Sequence, residues 1–503
     1  MKQSNGRLFG ARLLSRPAAL GVGMAVAVVA GISACGGSGG DSCHNVPPAT
    51  TVVGQPNFNL GNANQGGVSG STLGGAQGSS AANDGTGPLF IADTSDNRIL
   101  GYNKIPTGVA AVTYTGANGT GNADFVLGQP DLKTITSGTG PNAAGTTSFG
   151  LFQPAKAAIG VVNGAPQYLV VADTGNNRVL IWNSLPAASN VKPDVVVGQP
   201  NITSSLGNYP NKTPTASSLL GPTSAFIAGT SSGTAILVVV DKGNNRVLIW
   251  NTVPTADNTP ADVELGQTAT NTAGLACTSN DVTQAAGFCF GTNIPASDTS
   301  PQGGTTFVIG MNSPSDAWTD GKNFVISDTG NHRVLYYSQF PTNNVLASTV
   351  VGFAQFGQGN QTGSSGQGGL HSPFGVYVDG GGDLFVGDSG NNRVLEFSHF
   401  LISAKNGQQA NYVWGQQDFT HTQLNDPDQN GQVGDQRNNP ATNGITQGTM
   451  SSPQGVFADE SNLIVSDSGN SRILIYPIVA PDGNINPYGG VDGSDTDDTN
   501  FCQ

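Results

Sequence analysis

Twelve charged side chains recur in this chain at one spacing. Asp93, Asp173, Asp241, Asp328, Asp388 and Asp467 each stand five residues before an arginine, namely Arg98, Arg178, Arg246, Arg333, Arg393 and Arg472. A carboxylate and a guanidinium form strong charge-assisted hydrogen bonds. Placed on either side of a turn, they meet across a hairpin. A pair present in every copy of a motif serves the framework, so the twelve read as structural and no residue is assigned as catalytic. A second constellation is Asp426, Asp428, Asn430 and Asp435 in the stretch DPDQNGQVGD. Oxygen ligands at alternate positions before Gly431 open a calcium loop. Its twelfth position holds Arg437 rather than Glu, so Asp435 would have to substitute. The stretch reads either as a calcium site or as a polar, turn-rich insertion. The third constellation is a column of residues two places before a recurring Pro. It holds Asn312, His371 and Ser451, beside Phe152 and Leu220. One imidazole does not make a three-ligand zinc site, so His371, Asn312 and Ser451 read as polar residues on a rim. No phosphate loop or haem motif occurs.

The elements that must position these residues follow from three repeated phrases. The first reads LFIADTSDNRIL, LVVADTGNNRVL, LVVVDKGNNRVL, FVISDTGNHRVL, LFVGDSGNNRVL and LIVSDSGNSRIL. Each is an apolar strand, a turn and a second apolar strand. The second phrase is a strand ending in Gly-Gln or a variant of it, as in VVGQPNF and VWGQQDF. The third is an apolar strand opened by Pro154, Pro222, Pro314, Pro373 or Pro453. Four strands in each of six units predict an all-β chain, a six-bladed β-propeller of four-stranded antiparallel blades. A Gly-Gln strand precedes the first unit and none follows the last. The N-terminal strand near Thr51–Gly54 should therefore join the last blade and close the ring. The first unit reads STLGGAQGSSAAND and lacks the Pro, so its inner strand is expected to be degenerate. Gly175, Gly243, Gly330, Gly390 and Gly469 should supply positive φ in the turns. Trp182, Trp250, Tyr336, Phe397 and Tyr476 should pack between blades.

The Asp-x-Gly-Asn-x-Arg phrase resembles the NHL-repeat family of six-bladed propellers over roughly residues 50–478. The chain departs from the family in its longer repeats, so the excess sits in loops. A peptide-amidating lyase, similar in repeat type, carries metal-binding histidines from several blades around the axis. Lactonase-like six-bladed enzymes use carboxylates and Asn around one calcium. Here the column holds one histidine, and Asp320, Asp379 and Asp459 look like turn formers.

The N-terminus reads as an address. Lys2, Arg7, Arg12 and Arg16 precede an uncharged run of 15 residues, Ala18 to Ile32. A membrane span needs about 20 residues, so the run suits a secretory signal. Ile32-Ser33-Ala34-Cys35 resembles a bacterial lipoprotein box with Cys35 as the acylated residue. An ordinary signal peptide cut after Ala34 is the alternative. Gly36 after the cysteine favours the outer membrane, periplasmic or surface-exposed. The expected organisation is a lipoprotein signal peptide at 1–34, a tether at 35–49, the propeller at 50–480 and an acidic tail at 481–503. Apart from Cys35, Cys277 and Cys289 are expected to pair, as are Cys43 and Cys502, unless the terminal thiols stay free. The chain has 19 basic and 33 acidic side chains, with no basic patch, which excludes nucleic acid as a partner. The connections from each Gly-Gln to the next Pro are long and should share one face. Loops on a rigid frame are where binding concentrates. The expected function is a noncatalytic scaffold that binds a protein or glycan on that face. The alternative is a metal-dependent lyase or hydrolase with its site in the central channel.

Overall fold

Runs such as LVVAD and RVLIW combine β-branched and aromatic residues without polar alternation, the pattern of a strand covered on both faces. The computed structural model describes residues 48–81, 87–113, 115–116, 119–135, 150–266, 311–341, 347–354, 363–416, 418–426, 444–459 and 461–478. Within these, Leu89–Asp93, Arg98–Tyr102, Arg178–Trp182, Arg246–Trp250, Phe324–Asp328 and Leu384–Asp388 are strands with every residue buried. Helix is confined to single short turns, the longest being Ala110–Thr113 and Phe400–Ser403.

The chain is all-β. Four sheets have four strands each. Unit one pairs Ala76–Ala81, Leu89–Asp93, Arg98–Tyr102 and Phe125–Leu127 in that order. Units four, five and six begin at Asp316, Pro373 and Pro453 and follow the same antiparallel order. The expectation of separate four-stranded sheets is not met by units two and three. These share one eight-stranded sheet, because the inner strands Pro154–Val162 and Ser224–Gly229 touch through one parallel pair, Ala228 with Val161. The cause is length: Pro154–Val162 runs to nine residues against six or fewer in its counterparts, so its end reaches its neighbour. A further two-stranded ribbon joins Thr115–Gly116 to Gly119–Thr120.

The inner strand of unit one forms despite its unusual sequence. Ala76 pairs with Asp93 as Pro154 does with Asp173 and Pro453 with Asp467. Small residues fit a close approach of the next inner strand: a Cβ on Gly78 would lie 2.8 Å from Ala155 O. Inner strands contact each other in sequence, and Ala76–Ala81 touches both Pro154–Val162 and Pro453–Ala458. Thr51–Val53 pairs antiparallel with the last strand, Thr51 opposite Ile475 and Val53 opposite Ile473. The first and last described strands therefore share a sheet. The apolar clusters lie between sheets rather than within them. Phe90 and Phe125 of unit one share a cluster with Trp182 of unit two, and Trp250 shares one with Val179 and Val197 of unit two.

Candidate functional site

Every turn between the second and third strands has the same construction. The Asp is followed by three residues of 3-10 helix and then a residue in the left-handed region. That residue is Asn97, Asn177, Asn245, His332, Asn392 or Ser471, with φ near +50°. The expected positive φ at the turn glycines is thus corrected: the left-handed residue comes two places later, where Asn is tolerated for its short polar side chain. The glycines serve close approach instead. A Cβ on Gly390 would lie 2.6 Å from His371 Cγ, and one on Gly175 would lie 2.3 Å from Phe152 Cδ1.

The Asp carboxylate has two tasks. One oxygen accepts the backbone N–H of the residue two places before the Pro, as Asp173 does for Phe152 at 2.8 Å and Asp388 for His371 at 2.6 Å. The other accepts the Arg Nε at 2.7–2.8 Å in all six units, with both partners wholly buried. Burial raises the Asp173, Asp241 and Asp388 carboxyls, and the neighbouring guanidinium pulls them back. The remaining Arg N–H groups hold the connections. Arg98 donates to Thr72 O at 2.9 Å, ahead of its own unit, and to Leu132 O at 2.8 Å, after it. Arg393 reaches Gly366 O, Gly369 O and Phe419 O. Arg472 reaches Thr446 O, Thr449 O and Phe58 O. One buried cation thus ties the end of one long connection to the start of the next.

Neighbouring units are laced together on the same face. The left-handed side chains accept backbone N–H groups of the following unit: Asn97 from Gln153, Asn177 from Gly221, Asn245 from Ser313, His332 Nδ1 from Ser372, and Asn392 from Ser452. Hydroxyls next to the Asp donate to the opening carbonyl of the next inner strand, Thr94 to Pro154, Thr174 to Pro222, Ser389 to Pro453 and Ser468 to Ala76. The Gly-Gln motif completes the turn. Gly54, Gly128, Gly198 and Gly415 take φ of +86° to +94°, a range glycine enters without steric cost. The Gln129, Gln199 and Gln416 amides cap turn carbonyls.

Unit three departs from this pattern, since Lys242 replaces the hydroxyl residue. It lines a cavity of about 470 Å³ with Gln77, Thr174, Thr223, Ser313 and Phe374, residues drawn from five units. Its Nζ lies 5.4 Å from the Phe374 ring centre, within reach of a cation–π contact. Burial lowers its pKa. Deeper on the inner strands, Lys156 Nζ meets Asp316 Oδ1 at 2.5 Å. Asp316 also accepts Ser224 Oγ at 2.6 Å and Val376 N–H at 3.1 Å.

The residues expected on the rim are not among the lining of this cavity. Asn312, His371 and Ser451 rest on the glycines of their own turns, and His371 also meets His332, ring centres 5.2 Å apart. Asp426 is buried. Asp428, Asn430 and Asp435 lie outside the described residues, as do Cys35, Cys43, Cys277, Cys289 and Cys502. Among the described residues no group of three or more His, Cys, Asp or Glu could hold a metal ion. Sequence reasoning missed Lys156, Asp316 and Lys242. The available signal was departure from the repeat: the Lys242 position holds Thr or Ser in the other five units.

The opposite end carries buried acids, among them Asp383 and Glu396. Glu396 is 1% exposed, and its Oε1 accepts Ser398 Oγ at 2.9 Å. Burial pushes its carboxyl well above the ordinary value of 4.5, and the nearby Asp383 charge adds to the rise. The folded protein therefore keeps a proton that the unfolded chain releases. Stability from this group is complete below 4.5 and falls as pH rises through the raised folded value. Glu396→Gln is expected to remove that slope and to gain stability at alkaline pH. Urea midpoints across neutral and alkaline pH check this, and parallel pH curves for the two proteins would refute it.

No protein-family model matches the chain, and no curated protein matches it. Among solved structures, it is similar to a protein of unknown function from Bacteroides thetaiotaomicron at 13% identity, covering 86% of this chain and 75% of that one, TM-score 0.40. It is similar to virginiamycin B lyase from Staphylococcus aureus at 9% identity, covering 80% and 94%, TM-score 0.35. A luciferin-regenerating enzyme follows at 12% identity, covering 85% and 94%, TM-score 0.35. At these TM-scores the likenesses carry no argument about activity.

Proposed function

We propose that the protein is a six-bladed propeller of NHL type, anchored to the outer membrane through Cys35, and that it binds a protein or glycan on the face bearing the turns and long connections. The observation that carries this reading is the arginine clamp. Arg98, Arg178, Arg246, Arg393 and Arg472 each hold carbonyls of the connections on that face. A face pre-ordered in this way loses less entropy on binding. It also exposes apolar side chains at Leu206, 40% exposed, and Leu220, 37% exposed. Calcium held by Asp426, Asp428, Asn430 and Asp435 belongs to the same reading as a means of ordering one connection.

The alternative, a metal-dependent lyase or hydrolase in the central channel, needs a converging donor set. The inner strands instead carry a lysine already paired with a carboxylate, Lys156 with Asp316. The test is affinity capture on envelope fractions with three forms of the protein. Binding lost in Leu206→Glu/Leu220→Glu and retained in Ile402→Glu is expected, since Ile402 follows a third strand and leaves from the other face. Equal capture by all three forms would sink the reading.

A further inference from the structure

We infer that the cavity beneath Lys242 is a binding site for a single carboxylate-bearing sugar, a hexuronic acid residue of a glycan. This rests on the reading of the turn-bearing face as the binding face.

The argument begins with charge. Lys242 stands where the other repeats carry Thr or Ser, so nothing in the repeat requires an amine there. Among the described residues no carboxylate pairs with it, and its one described contact of this kind is the Phe374 ring. Lys156, on an inner strand, is already neutralised by Asp316. A half-buried ammonium without a counter-charge gains from one anionic partner at close range. The rest of the lining is neutral: Gln77, Thr174, Thr223, Asn245 and Ser313, with Phe374.

The neutral groups favour a sugar over a simple acid. Thr174 Oγ donates to Pro222 O at 2.6 Å and Thr223 Oγ donates to Ser315 O at 2.9 Å. Their donor hydrogens are spent, so any bond these hydroxyls make to a ligand is one they accept, matched to sugar O–H groups. The Gln77 amide makes no hydrogen bond to a described residue and offers both donor and acceptor. Phe374, the ring beneath the Lys242 amine, adds apolar lining for the C–H groups of a pyranose. About 470 Å³ falls within the range of small-ligand sites. The net charge of −14 sets a limit on charge density. It repels a polyanion at distances of about a Debye length, ~8 Å at physiological ionic strength. One lysine in an acidic molecule therefore suits an isolated carboxylate.

The experiment is calorimetric titration of the purified protein with methyl glucuronide and with methyl glucoside. The native protein is expected to bind the glucuronide and to bind the glucoside at least about tenfold more weakly. Lys242→Thr restores the residue of the other repeats and is expected to fold with an unchanged thermal midpoint. It should lose the preference for the glucuronide. A second readout is acetylation of the Lys242 amine, mapped by mass spectrometry, which the glucuronide should slow and the glucoside should not. Equal affinity for the two sugars, or a preference that survives Lys242→Thr, overturns the inference. So does acetylation indifferent to both. If the glucuronide fails to bind while Leu206→Glu/Leu220→Glu abolishes envelope capture, the carboxylate site falls and the face reading stands. If it binds with the expected preference while capture ignores those substitutions, the site stands and the face reading falls.

Discussion

Arg472→Met is expected to destabilise the protein by about 3–5 kcal/mol, the usual cost of leaving one member of a buried ion pair alone. Both Arg472 and Asp467 are 0% exposed, with Nε 2.7 Å from the carboxylate. The substitution removes more than one contact. Arg472 also holds Thr449 O at 2.8 Å and Thr446 O at 3.0 Å, and it reaches Phe58 O across the seam between the first and last strands. Asp467 would keep Ser451 N–H at 2.7 Å and Asn470 Nδ2 at 2.8 Å, but lose its counter-charge. Adding Asp467→Asn should recover part of the loss, because the orphaned charge goes with it. Urea unfolding measures both proteins. A loss under about 1 kcal/mol for Arg472→Met, typical of exposed pairs, would show that the clamp does not act as argued.

Deleting residues 48–58 should have a larger effect. Val52 and Val53 are 0% exposed, and burying two such side chains contributes about 3–6 kcal/mol. Gln55 Nε2 donates to Ser471 O at 2.9 Å, so the deletion also uncaps the last turn. The strand Arg472–Pro477, RILIYP, would become an open edge. Exposed apolar edges pair with other chains. The truncated protein is expected to lose its cooperative transition and to form oligomers by light scattering, while a chain starting at Pro48 stays monomeric. A monomeric truncation with an unchanged midpoint would contradict this account.

Much of this architecture was legible in the residues. The Asp-to-Arg spacing announced hairpins, and the apolar runs announced strands covered on both faces. The lone leading Gly-Gln strand pointed to pairing of Thr51–Val53 with the end of the chain. The site was far less legible. Gly390 was read for its torsion, yet its role is room for His371, a neighbour that only the register brings near. His371 drew attention by residue type, while Lys242 hid inside a motif judged structural.

The amino-acid order alone determined the repeat, the strands and the residues that flank each turn, because those depend on side-chain period and local torsion. Tertiary structure decided which residues converge. Lys156 and Asp316 are far apart along the chain and meet only because two inner strands turn the same register position toward one another. Lys242, in a turn, likewise meets Phe374 on an inner strand two units away only because the sheets stack. Convergence of that kind is set by how sheets stack, and no local pattern encodes it.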